Sequence, residues 1–114
     1  MKGSVHVAPR NNARDLEVRL NEDGSVGLKA TFSSGQISRA TLSGIQELTE
    51  ILYGKKKVTT FEGCGLIQVN RRRNTWTFGQ PSELEFYFEH TEHQSDLVIV
   101  LWRDLNRAVS NLKS

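Results

Sequence analysis

Between Leu16 and Leu42 apolar and polar side chains trade places at nearly every step, a pattern that an α-helix cannot bury. Leu16, Val18 and Leu20 alternate with Glu17, Arg19 and Asn21, and Val26, Leu28, Ala30 and Phe32 alternate with Gly27, Lys29 and Thr31. In a strand, successive side chains leave opposite sides, so a period of two buries one face and wets the other. Asn21-Glu22-Asp23-Gly24-Ser25 supplies the turn between the two runs, because glycine accepts positive φ and aspartate bonds to nearby backbone. Ser33-Ser34-Gly35 makes the next turn and Gln36–Leu42 a further strand. Ahead of them, Val5–Ala8 is a short strand closed by Pro9 and Asn11-Asn12. The expectation is an antiparallel meander with one wet face.

At Ser43 the period changes. Ile45, Leu48, Ile51 and Leu52 recur at helical spacing, and Ser43 and Gln46 have the S-x-x-Q spacing of a capping box. Gly54 stands where a helix C-cap favours positive φ, and Lys55–Lys57 complement the negative end of the helix dipole.

The second half repeats this order. It comprises Val58–Phe61, a bend at Glu62-Gly63-Cys64-Gly65, a strand over Leu66–Arg72, a turn at Arg73-Asn74 and a strand over Thr75–Gly79. A turn at Gln80-Pro81-Ser82 then leads to Leu84, Phe86 and Phe88 alternating with Glu85, Tyr87 and Glu89. The segment from Asp96 to Leu101 admits two readings. Val98-Ile99-Val100 is β-branched and favours a strand, with a helix following from Arg103 to Leu112. The all-helical alternative aligns Leu97, Leu101, Leu105, Ala108, Val109 and Leu112 on one face. It leaves Ile99, Val100 and Trp102 outside, as a strip that a dimer partner would cover.

Sliding the chain by sixty residues superimposes the apolar positions without a gap. Val18 meets Phe78, Val26 meets Phe86, Leu28 meets Phe88, and Leu48 and Leu52 meet Ala108 and Leu112. The reading is one domain over residues 1–114, class α+β, made of tandem ββββα repeats (1–54 and 55–114) with antiparallel sheets packed on two helices. That architecture, with Ser38-Arg39-Ala40-Thr41-Leu42-Ser43 leading from a fourth strand into a helix, resembles the PUR-repeat and Whirly group. The resemblance implies a protein that holds single-stranded DNA or RNA on the open faces of curved sheets and acts in transcription or replication. The second junction, Val100-Leu101-Trp102-Arg103, departs from the pattern.

Bulk numbers bound the function. In 114 residues, 37% are hydrophobic and 25% charged, which is the balance of a globular domain able to bury a core. The net charge of +2 permits a polyanionic partner through a local patch without demanding one. No apolar run approaches the roughly 20 residues of a membrane span, and Met1–Asp15 has no signal-peptide core. A single cysteine, Cys64, excludes an internal disulfide and fits a reducing cytoplasmic, nucleoid or nuclear setting. Phosphate-binding loops, dinucleotide fingerprints and protease motifs are absent, so neither an enzyme nor a cofactor is expected. His90 and His93 flank Glu92 at a spacing that could start a metal site, but a surface loop is favoured for want of further ligands.

Alternation assigns Leu16, Val18, Val26, Leu28, Ile67, Val69, Trp76, Phe78, Phe86 and Phe88 to the core. One open face then carries Arg19, Lys29, Gln68, Asn70, Arg72 and Tyr87, with Arg71–Arg73 as a phosphate clamp at a strand end or a solubilising turn. Cations for phosphates, amides for base edges and a ring for stacking suit a single strand. Glu17, Glu85 and Glu89 share that face and oppose it; ordinary cross-strand ion pairs are the competing explanation.

Overall fold

The computed structural model describes residues 3–53, 65–73, 81–89 and 97–113, and only the backbone at 66–68, 71–73, 81 and 82. The first half is a meander of β1 (Gly3–Val7), β2 (Ala13–Leu20), β3 (Val26–Phe32) and β4 (Ile37–Leu42), followed by α1 (Ile45–Leu52). The second half forms a sheet of β5 (Leu66–Arg73), β6 (Pro81–Phe88) and β7 (Leu97–Leu101), followed by α2 (Trp102–Lys113). Every described strand pair is antiparallel. The class is α+β.

Turn chemistry sets the registers. Gly24 at φ 89° and Gly35 at φ 92° take the left-handed conformation that each tight reversal needs. Asp23 Oδ1 accepts from the Ser25 hydroxyl at 2.6 Å and from its N–H at 2.9 Å. Those bonds, the hydroxyl's first, hold the Asp23 carboxyl below the ordinary aspartate range. The alternating residues face inward as expected: Leu16, Val18, Val26, Leu28, Val69, Phe86 and Phe88 are all buried. One continuous core draws on both sheets and both helices. Ile67, Trp76, Phe78, Val58–Phe61 and the strand expected over Thr75–Gly79 lie outside the described residues or side chains.

Two expectations are corrected, and one open alternative is decided. Helix α1 begins at Ile45 with Gly44 at the N-cap, so the residue that reaches back is Glu47, not Gln46. The Glu47 carboxylate accepts from the Ser43 N–H at 2.9 Å and from its hydroxyl at 3.3 Å. Strand β4 needs two residues to leave the sheet, which moves the cap one position along. Gly54 and Lys55–Lys57 fall outside the described residues.

Pro81 and Ser82, expected in a turn, open β6. Proline is tolerated as the first residue of a strand because its missing donor is not needed there, and Pro81 follows a register shift opposite Arg73.

The segment from Leu97 to Leu101 is a strand, and α2 starts at once with Trp102. Val98 and Val100 are buried and Ile99 half-buried, so the apolar strip that the all-helical alternative offered a dimer partner does not exist.

Between the pairs β3–β4 and β6–β7 the offset is 58, not sixty. Adding 58 to Val26↔Leu42 and Leu28↔Ala40 gives Leu84↔Val100 and Phe86↔Val98, which are register partners. In the helices 57 carries the buried Leu48, Ile51 and Leu52 onto the buried Leu105, Ala108 and Val109. A slip of two keeps every alternating residue on its own face, which is why sixty satisfied the sequence pattern equally well.

Two seams join the halves. In the first, the loop after β1 caps the outer edge of β7. The Arg10 N–H donates to the Ile99 carbonyl at 2.7 Å, and Asn11 Nδ2 donates to the Leu97 carbonyl at 2.6 Å. Asn11 Oδ1 accepts from the Ile99 N–H at 3.3 Å. One asparagine thus stands in for a neighbouring strand and closes an edge that would otherwise pair with another chain. In the second, Gly65 lies against β4: a Cβ placed there would sit 2.2 Å from the Arg39 carbonyl oxygen, and φ is +95°. Only glycine meets both conditions.

The helices close the core. Trp102 Nε1 donates to the Leu52 carbonyl at 2.7 Å, satisfying a free acceptor at the end of α1. Its ring meets Tyr53 edge to face, with centroids 6.0 Å apart.

Candidate functional site

With the helices and core behind it, the four-stranded sheet turns its other face outward, and register fixes what stands beside what. One row across the strands reads His6, Glu17, Lys29, Arg39, and the next reads Ser4, Arg19, Gly27, Thr41. Gly27 has no side chain, so the sheet is hollowed there. The hollow, about 320 Å³, is rimmed by Arg19, Lys29, Arg39, Glu17, Asn21 and Thr41.

Charge in the hollow is uneven. Glu17 is turned toward β1 and its own strand: Arg19 Nη2 lies 3.4 Å from its Oε2, and His6 Nε2 lies 4.0 Å from the same oxygen. His6 is further held by Asp15, to which Nδ1 donates at 2.9 Å. Lys29 and Arg39 stand directly opposite one another, and neither has an ion-pair partner among the described residues. The rim therefore carries three cations against one carboxylate. Like charges facing each other across a strand pair cost stability, and an anion seated between them would relieve it.

The expected site residues divide. Arg19 and Lys29 belong to this hollow, whereas Gln68, Asn70, Arg71, Arg72, Arg73 and Tyr87 lie on the other sheet. The single face expected for all of them is thus corrected to two, because the chain closes one sheet before opening the next. On the three-stranded sheet Tyr87 is half-buried, opposite Gln68 and Leu97, and Asn70 is opposite Glu85. Arg71, Arg72 and Arg73 are opposite Leu84, Glu83 and Pro81; their side chains, like that of Gln68, lie outside the description. Glu83 is engaged by Arg10 Nε at 3.8 Å. Glu83 and Glu85 stand on β6 opposite Arg72 and Asn70.

Arg39 was absent from the expected set. The alternation of Ile37, Arg39 and Thr41 against Ser38, Ala40 and Leu42 points it outward. Its pairing with Lys29 could not be read without the register. Cys64, His90 and His93 lie outside the described residues, among which no group of metal-ligating side chains forms. No described helix is long and apolar enough to cross a membrane.

Compared with protein families, curated proteins and solved structures, the chain matches none.

Proposed function

We propose that this chain binds single-stranded nucleic acid, without acting on it chemically, across the outer face of its four-stranded sheet. A strand laid over the hollow meets cations on three successive β-strands, from Arg19 on β2 to Lys29 on β3 and Arg39 on β4. The observation that carries the reading is the facing pair Lys29 and Arg39 with no carboxylate bonded to either among the described residues. Glu17, the acid opposite Lys29 on its other side, is turned to Arg19 and His6 instead. The matching registers of β3–β4 and β6–β7 support a duplicated design in which part of one sheet is repeated in the other. That is the layout on which the resemblance to PUR and Whirly proteins rests.

Fluorescence anisotropy with a labelled oligothymidine of about twenty nucleotides tests the proposal. Lys29→Gln with Arg39→Gln is expected to weaken binding about tenfold at low salt. Because two phosphate contacts are lost, the slope of log K against log salt should flatten by about 1.4. Gly27→Val fills the hollow, yet a Cβ there meets only Asn21 Nδ2 at 3.7 Å, so folding is spared while binding falls. Absence of binding at low salt, or equal affinity in the double variant, would sink the reading.

A further inference from the structure

We infer that this face recognises the phosphate backbone and reads no base, an inference that rests on the function just proposed. Proteins that hold single strands usually add rings on which bases stack. Among the described residues no Phe, Tyr or Trp leaves the outer side of the four-stranded sheet. Its one such residue, Phe32, is buried in the core.

The other described rings are committed elsewhere. Phe86 and Phe88 are fully buried in the core, and Trp102 spends its N–H on the Leu52 carbonyl and its edge on Tyr53. Tyr87 belongs to the other sheet. The imidazole of His6 is tied to Asp15. Amide readout is equally lacking: Asn21, the one amide on the rim, donates to the Ser25 hydroxyl at 2.9 Å and braces its own turn. What remains, beside the Glu17 carboxylate engaged by Arg19, is cationic, small or hydroxylic, around a position where Gly27 lets a chain lie close to the sheet. Such a surface attracts a phosphate run whatever bases it bears.

The test compares an oligothymidine with an abasic oligodeoxynucleotide of the same length, both labelled, by anisotropy at low salt. The full chain is expected to bind the two within about threefold, since no described ring on this face supplies the stacking that would separate them. Lys29→Gln with Arg39→Gln should weaken both equally, and Tyr87→Ala should change neither. A loss of about tenfold or more for the abasic strand, or a Tyr87→Ala effect confined to the oligothymidine, overturns the inference and leaves nucleic-acid binding standing. Failure of both strands to bind overturns the proposed function and this inference together.

Discussion

The pairs β3–β4 and β6–β7 share a register, and the two sheets they belong to differ in what they show to solvent. Inside, Val26↔Leu42 and Leu28↔Ala40 correspond to Leu84↔Val100 and Phe86↔Val98, and all eight residues are buried. Outside, the first sheet has a hollow at Gly27 rimmed by three cations, of which Lys29 and Arg39 have no ion-pair partner among the described residues, and the second has Glu83 and Glu85 along the central strand of its described part. Their edges differ too. The outer edge of β7 is sealed by Arg10 and Asn11, whereas β4 is met by the bare backbone of Gly65. Burial constrains the inner face of any such sheet to apolar side chains of fitting volume, while the outer face is free to diverge. The two outer faces are therefore where the sheets can be told apart.

Removing matched core residues bears hardest on this comparison. Phe86→Ala should cost about 3–5 kcal/mol and Leu28→Ala about 2–5 kcal/mol, measured by urea unfolding. Because the core is continuous, each variant should still unfold in one transition. Separate transitions for the two sheets would break the picture of one shared core.

Gly65→Ala should cost about 2 kcal/mol or more, since a methyl group would strike the Arg39 carbonyl and force an alanine to φ +95°. A change within about 0.5 kcal/mol, as at ordinary surface sites, would show that the seam is loose.

Asn11→Ala strips the Leu97 carbonyl and the Ile99 N–H of their partner, an expected loss of about 1–2 kcal/mol. Hydrogen exchange at Ile99 should quicken more than at Val98. Equal protection in variant and parent would mean that the asparagine does not seal that edge.

The smallest effect sits at the β2–β3 turn. Asp23 has a lowered carboxyl pKa in the folded chain, so its contribution is present above the ordinary aspartate value of about 3.9 and is lost as pH falls through the folded value. Asp23→Ala should remove that part of the acid dependence and leave stability at neutral and alkaline pH otherwise parallel. A variant with the parent's full acid slope would assign the slope to other carboxylates.

Much of the fold was legible in the chain because its signals are local. Two-residue alternation around Gly24 and Gly35 fixed three strands and their facing, and β-branching at Val98–Val100 separated strand from helix. The helix start was misplaced by a cap because S-x-x-Q and a glycine N-cap with Glu47 are both chemically sound. Only the exit of β4 from its sheet distinguishes them. The hollow was half legible: alternation placed Arg19 and Lys29 outward, but it says that a residue is outside, not which sheet's outside.

Local periodicity and turn chemistry alone determined that this chain makes antiparallel sheets and amphipathic helices, since both act between residues a few positions apart. Tertiary structure decided that β6–β7 reproduce the register of β3–β4 at an offset of 58, that Gly65 must be bare, and that Lys29 faces Arg39. Those outcomes depend on which strand edges meet when the core closes. A period of two is unchanged by sliding a strand two residues, so no local pattern could have chosen among them.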